Sequence, residues 1–317
     1  MKIFSFEEIK KLNIHPNECM LWVEEAFRQK HLVNLPNKKS ITFNNGSCFF
    51  NTMPCLFPPL NKFGVKEVSR YPNRNSSISG EILLYNLING DLLCLMDANW
   101  ITSMRTGAVA ALSIKHLRST NAKIFSFLGL GNTARATMLC LLENEPEHNF
   151  LVRLLKHKDQ AEQFIERFKD YKNCSFEIVS TKKELIQNAD VIVSAVTIAN
   201  DLIGEDSWFK EGVLVVPIHT RGFQNCDLFF DKVYADDTDH VVEFKYFNKF
   251  KKFDEFANVL IDKHKGRLND KERILIYNIG LAMFDIYFAS QIYDRLEIQN
   301  KNKHKIQLRN SLSQFWV

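Results

Sequence analysis

Apolar residues recur along this chain in three successive rhythms. Behind a His15-Pro16 start, Met20, Leu21, Val23, Ala26 and Phe27 fall at helical spacing, which predicts a helix to about His31. Shorter runs at Ser40–Phe43, Ser47–Phe57 and Gly64–Tyr71 predict strands, punctuated by Pro54, Pro58, Pro59 and Pro72. Residues 81–97, EILLYNLINGDLLCLMD, place two apolar runs around Asn89-Gly90, a strong hairpin signal. Asn99–Leu117 reads as a helix rich in small residues. Together these elements predict a mixed α/β unit.

From Asn121 the rhythm changes. KIFSFL reads as a strand, GLGNTA as a turn and RATMLCLLENE as a helix stopped by Pro146. Strand Phe150–Leu155, helix Asp159–Tyr171, strand Ser175–Val179 and helix Lys182–Asn188 follow, then strands Asp190–Val196, Gly212–Ile218 and Lys232–Ala235. Strands alternating with helices imply crossover connections and a parallel, doubly wound sheet of Rossmann type. A third rhythm begins after about Phe256. The most apolar stretch, Ile274–Phe284, is bounded by Arg273 and Asp285 and is too short for the ~20 residues that span a bilayer. Lys271–Arg295 is therefore expected to form one buried helix docked on the first unit or on a partner chain. The polar, basic stretch Gln299–Arg309 is expected to be a solvated end.

Composition narrows the function classes. A length of 317 residues suggests two domains. The balance of 41 basic against 37 acidic side chains, with no basic stripe, argues against nucleic acid as a partner. Seven scattered cysteines without a C-x-x-C argue against a disulfide framework or zinc ribbon and favour reduced thiols in a cytoplasmic protein. Glu7 and Glu8 stand where a signal peptide would be uncharged, and no membrane partner is expected.

Gly129-Leu130-Gly131-Asn132-Thr133-Ala134 is a G-x-G-x-x-A joining a strand to a helix. The first glycine allows the sharp turn, the second lets a pyrophosphate approach the backbone, and Ala134 permits close helix packing. The amino end of the helix would then face the phosphates. The expected cofactor-binding set adds Ala195, Val196, Thr197 and Val216 on neighbouring strands. At the end of the second strand, Lys156 and His157 precede Lys158, a basic cluster that suits a 2′-phosphate and tilts the choice toward NADP over NAD; Asp159 could still serve a ribose.

Three polar residues stand in apolar settings. Arg105 shares a helical stripe with Ile101, Ala108 and Leu112 and needs an anion, either Asp97 or a substrate carboxylate. Lys66 shares a strand face with Val68; such a lysine is ordinarily an edge residue that snorkels, and if desolvated it could move protons or bind a carboxylate. His219 follows VLVVPI at the carboxyl end of a parallel strand, where open α/β sheets bind ligands, and Arg221 follows it. The run Asp236-Asp237-Thr238-Asp239 reads as a solvated turn, with no metal expected.

On these residues the chain resembles the ornithine cyclodeaminase/mu-crystallin family over nearly its whole length, through GVKEVSRYPNRN, LMDANWITSMRTGA, FLGLGNTARA and GRLNDKERILIYNIGLAMFD. The resemblance implies a Rossmann domain (119–256) inserted within a discontinuous substrate-binding and dimerisation domain (1–118 plus 257–317). It also implies a homodimer and a nicotinamide cofactor. It matches Lys66 to a substrate-contacting lysine, Arg105 to an arginine near substrate and nicotinamide, Ser77 to a cofactor-touching threonine, and Lys38 to a carboxylate-binding arginine. Asn132 and Thr133 depart from the usual Ala-Gln. At the strand end where cyclodeaminases carry a catalytic aspartate, this chain has His219. Histidine suits protonation at an imine nitrogen. The expected function is therefore an NAD(P)-dependent oxidoreductase, an imine reductase or amino-acid dehydrogenase acting on a small amino or imino acid, with Lys66 and His219 catalytic. The alternatives are a cyclodeaminase-like lyase with internally recycled NAD, and a non-catalytic mu-crystallin-like binder.

Overall fold

The computed structural model describes residues 1–74, 77–197 and 199–299, which fall into two units. The first takes Met1–Ile14, His31–Thr102 and the chain from Ala282 onward; the second takes His15–Lys30 and Ser103–Leu281.

The first unit is built on a six-stranded sheet. Its strands are β1 (Lys2–Phe4), β2 (Lys39–Phe43), β3 (Cys48–Phe57), β4 (Lys62–Arg70), β5 (Ile78–Asn86) and β6 (Leu92–Asp97), in the order β1-β6-β5-β4-β3-β2. Every pairing is antiparallel except that of β1 with β6. Side chains alternate between the two faces of such a sheet. Met53, Cys55 and Phe57 on β3, Lys66 and Val68 on β4, and Ile82 and Leu84 on β5 are all buried. Helix α1 (Phe6–Lys11) is capped reciprocally by Ser5 and Glu8. The last described helix, α9 (Ala282–Gln299), packs on β3, β4 and β5. Its approach is close at Gly64, where a Cβ would stand 2.6 Å from Ile286 Cδ1 and 2.5 Å from the Leu83 carbonyl oxygen. The expected hairpin is β5–β6, turning through Gly90 at φ +72°.

The second unit carries an all-parallel, eight-stranded sheet. It comprises β7 (Ile124–Leu128), β8 (Phe150–Leu155), β9 (Cys174–Val179), β10 (Val191–Ser194), β11 (Leu214–Pro217), β12 (Lys232–Ala235), β13 (Phe253–Glu255) and β14 (Ile274–Tyr277). The order is β13-β12-β14-β11-β10-β7-β8-β9. Helices α4 (Asn132–Asn144), α5 (Gln160–Phe168), α6 (Lys182–Ile186), α7 (Cys226–Phe229) and α8 (Phe256–Ile261) connect it. Helix α2 (Pro16–Arg28) packs on α4 and α8, while α3 (Asn99–Leu117) starts in the first unit and continues into the second. The doubly wound parallel sheet expected from the sequence is present.

One expectation is corrected. Lys271–Arg295 is not a single helix: it divides into β14 and α9, with Gly280 at φ +95° between them. All four β14 residues are buried, so the strand reads as an unbroken apolar run that periodicity cannot tell from a buried helix. The short strands β1 and β13, three residues each, escaped the pattern altogether. Apart from Gln299, the tail expected to be solvated lies outside the described residues. Among those residues, no helix is long and apolar enough to cross a membrane.

Candidate active site

Chain order determines where the second unit can hold a ligand. From β7 the chain winds outward to β8 and β9, then returns to the other side of β7 at β10. The strand order reverses between β7 and β10, and at such a switch point a crevice opens outside the carboxyl ends of the strands. The glycine turn lies there. Gly129 adopts φ +81°, and a Cβ on it would stand 2.7 Å from Ala195 O and 2.9 Å from Val196 N. Only glycine lets β7 leave the sheet this close to the end of β10. Gly131 is different. It caps α4 without a side-chain hydrogen bond, and a Cβ on it would meet nothing within 4 Å. The amino end of α4 therefore faces open space with its first-turn N–H groups uncapped by a side chain, which fits a dinucleotide pyrophosphate. Asn132 and Thr133 start the helix, and the buried Ala134 packs beneath it.

Neighbouring strand ends complete this edge. Lys156 and His157 are exposed just past β8. Ala195 and Val196 are half-buried past β10, and Thr197 is exposed. Val216 lies inside β11, in register with Val193 and fully buried, so its side chain offers a ligand no surface. His219 follows β11. Its Nε2 shares a 2.6 Å hydrogen bond with Ser194 Oγ at the end of β10, and its ring stacks on Phe223 at 6.2 Å. Burial pushes the imidazole pKa down, opposed more weakly by the backbone of Arg221.

Arg105 is buried on α3, and its guanidinium lies over Gly280, where a Cβ would stand 2.6 Å from Nη1. Two residues along α3, a Cβ on Gly107 would stand 2.5 Å from Ala136 Cβ, so α3 and α4 cross at nearly bare backbone. Asp97 accepts hydrogen bonds from Asn99 N and Nδ2, both 2.9 Å, at the start of α3.

In the first unit, Lys66 is not an edge residue. It lies on β4 with β3 and β5 on either side, opposite Met53 and Ile82, and is 1% exposed. A buried ammonium needs a counter-charge, and Asp285 of α9, itself fully buried, accepts from Nζ at 2.8 Å. Lys38 is half-buried before β2, and Ser77 is half-buried at the bend before β5. The second unit thus carries the glycine turn, the β8 and β10 ends, His219 and Arg105. Lys38, Lys66 and Ser77 belong to the first.

Sequence reasoning missed Ser194, Gly280 and Asp285. A signal existed for Asp285, a lone carboxylate inside an apolar helix and so the same anomaly as Lys66 on its strand. Ser194 carried none. Of the acidic run, Asp236 is fully buried, while Asp237 caps the following turn and pairs with Lys30 at 2.7 Å. Among the described residues, no group of three or more His, Cys, Asp or Glu side chains could hold a metal ion.

The family model for the ornithine cyclodeaminase/mu-crystallin family matches residues 2–300. The chain belongs to this family. Nodulation efficiency protein NfeD of Rhizobium meliloti is 27% identical to it over 266 residues, covering 78% of this chain and 80% of that protein. A Delta(1)-pyrroline-2-carboxylate reductase of Bacillus cereus is 22% identical over 315 residues, covering 93% and 96%. Among solved structures, that of Thermococcus litoralis Delta(1)-pyrroline-2-carboxylate reductase in complex with NADH and L-proline superposes with a TM-score of 0.84 at 23% identity, covering 96% of this chain and 100% of that one.

Proposed function

We propose that this family member is an NAD(P)-dependent oxidoreductase acting at the C–N bond of a small amino or imino acid. The observation that carries the reading is His219: an imidazole hydrogen-bonded to Ser194 at a strand end, on the same edge as an uncapped, glycine-lined helix terminus. The reductase names of the relatives support the same reaction class. A bound nicotinamide would supply hydride exchange with the substrate carbon.

The chain's own residues would do the rest. The α4 amino end and Gly131 bind the pyrophosphate, while Gly129, Ala195 and Val196 shape the turn beneath it. Arg105 grips the α-carboxylate bidentately, as a guanidinium can. The family resemblance assigns Lys38 and Lys66 to the substrate as well, and Ser77 to the cofactor. His219 moves the proton at nitrogen. In reduction the imidazolium form of His219, charged by a proton from solvent, would donate to the imine nitrogen; in oxidation the neutral ring would accept that proton from the amine. Ser194 fixes the ring orientation. Lys156 and His157 favour NADP over NAD by offering positive charge to a 2′-phosphate. A homodimer, implied by the same resemblance, belongs to this reading.

The test is to incubate purified protein with NADPH or NADH and a panel of cyclic imino acids, α-keto acids with amines, and diamino acids, following nicotinamide absorbance and ammonia together. Nicotinamide oxidation by a cyclic imino acid or by a keto acid with an amine is expected. It should fall about 100-fold or more in His219→Ala. Ammonia release from a diamino acid without net absorbance change would replace the reading with a lyase. Ligand-induced stabilisation without turnover of any candidate would replace it with a binding protein.

A further inference from the structure

The guanidinium of Arg105 lies against a turn that has no role of its own in the proposed reaction. The guanidinium rests on Gly280, whose backbone sits at φ +95°, a conformation that side-chain-bearing residues rarely adopt. The Gly280 N–H donates to Asp236 Oδ2 at 2.6 Å. Asp236 immediately follows β12, continuing its pairing with β14 through a 3.2 Å bond from its own N–H to Tyr277 O. It has no solvent exposure, and its second oxygen lies 4.0 Å from His240 Nδ1.

The segment carrying Asp236 is itself pinned. Lys30 bonds Asp237 at 2.7 Å and Glu255 at 2.6 Å, and Glu255 accepts from the Thr238 N–H and hydroxyl at 2.8 and 2.7 Å. Burying a carboxyl group so completely is costly unless it satisfies a partner. Burial accordingly pushes its pKa up. The partner it satisfies is the Gly280 N–H of the left-handed turn.

We infer that Asp236 is a positioning residue: its carboxyl group holds the Gly280 turn flat against α3 and so fixes the guanidinium of Arg105 for a substrate carboxylate. Asp236 touches neither Arg105 nor substrate in this scheme. It acts through one backbone N–H. The inference rests on the assignment of Arg105 to the carboxylate, and its test keeps the two separable.

Three variants, Asp236→Ala, Asp236→Asn and Arg105→Ala, are compared with the wild-type enzyme on an imino acid and on the same cyclic imine lacking its carboxylate. KM and kcat are measured separately, with NADPH dissociation constants as a control. Asp236→Ala removes the acceptor and is expected to raise KM for the imino acid about tenfold, with KM for the carboxylate-free imine unchanged. Asp236→Asn keeps an oxygen acceptor and is expected to restore KM to within about twofold of wild type. Should the alanine variant fail to fold, Asp236→Ser takes its place, its shorter side chain standing back from the Gly280 N–H.

If Arg105→Ala raises KM for the imino acid but Asp236→Ala does not, the inference is overturned and the Arg105 assignment survives. If Arg105→Ala leaves the carboxylate dependence intact, the assignment itself fails. An equal rise in KM for both imines in Asp236→Ala would mark general damage and also overturn the inference.

Discussion

Lys66–Asp285 in the first unit is a fully buried polar pair and Ser194–His219 in the second a half-buried one, and their sheets hold them differently. The first sheet is largely antiparallel, and α9 covers one of its faces. A strand in such a sheet presents its side chains perpendicular to the plane, so a polar group can enter mid-strand and in the core. Lys66 does this, and the cost is a full counter-charge, supplied by Asp285 at 2.8 Å. The second sheet is parallel, and the interiors of β10, β11 and β14 are buried throughout. Chemistry there moves to the carboxyl ends of the strands. His219 stands past β11, where a hydroxyl partner and partial desolvation are enough. The two pairs thus differ in how the polar group is held: Lys66 by the counter-charge of Asp285, His219 by the hydroxyl of Ser194.

Removing the lysine from the charged pair should have the largest consequence. Lys66→Met removes the counter-charge of a fully buried carboxylate on α9 and is expected to cost about 3–5 kcal/mol in urea denaturation. Replacing both partners, as Lys66→Met with Asp285→Leu, should recover most of that stability, because a well-packed apolar pair has no desolvation penalty. The double variant should still lack activity. A single variant within about 1 kcal/mol of wild type would mean that the pair behaves like an exposed one, and the contrast with the second sheet would fail.

The same contrast explains what could be read along the chain. The parallel unit was legible because each crossover repeats a strand and a helix with its own punctuation, and β8, β12 and the glycine turn stood out by local pattern alone. Lys66 was visible as an anomaly, but its burial was not. That depends on β3, β5 and α9, which come from three separated stretches of chain. Asp285 and Lys66 are 219 residues apart, and no local spacing announces such a pair. Ile274–Tyr277 misled for a related reason. A strand buried on both faces loses the alternation that marks strands, and only its insertion between β11 and β12 makes it one. Ser194 is invisible until β10 and β11 lie side by side.

A second, smaller test lies within the parallel unit, where two glycines two residues apart have opposite reasons to exist. Gly129→Ala places a methyl group 2.7 Å from Ala195 O on a left-handed backbone, and is expected to cost about 1–3 kcal/mol of stability as well as cofactor affinity. Gly131→Ala meets no protein atom and should leave stability within about 0.5 kcal/mol. Its methyl group would instead intrude on the pyrophosphate and weaken NADPH binding. Thermal denaturation and NADPH titration of both variants separate the effects. Equal losses of stability would show that Gly131 is held by the fold rather than kept clear for a ligand.

The smallest expected effect concerns the neutral pair itself. Burial lowers the His219 pKa in the folded protein, so the unfolded chain binds a proton there more readily. Above the ordinary histidine value of about 6.5 both states are neutral and the group contributes no pH dependence. As pH falls below that value the unfolded state gains the proton first, and stability declines until the folded imidazole also titrates. His219→Gln, which keeps hydrogen-bonding capacity toward Ser194 without titrating, should remove this increment. The difference in unfolding free energy between wild type and variant should therefore be constant from pH 8 to 7 and should shift against wild type on going to pH 5. Because His116 and His148 are also held below their ordinary values, only this difference, and not the wild-type curve alone, isolates His219. A difference that moved in favour of wild type on acidification would mean that the folded site prefers the imidazolium. His219 would then need a counter-charge, as Lys66 does, and the distinction between the two pairs would collapse.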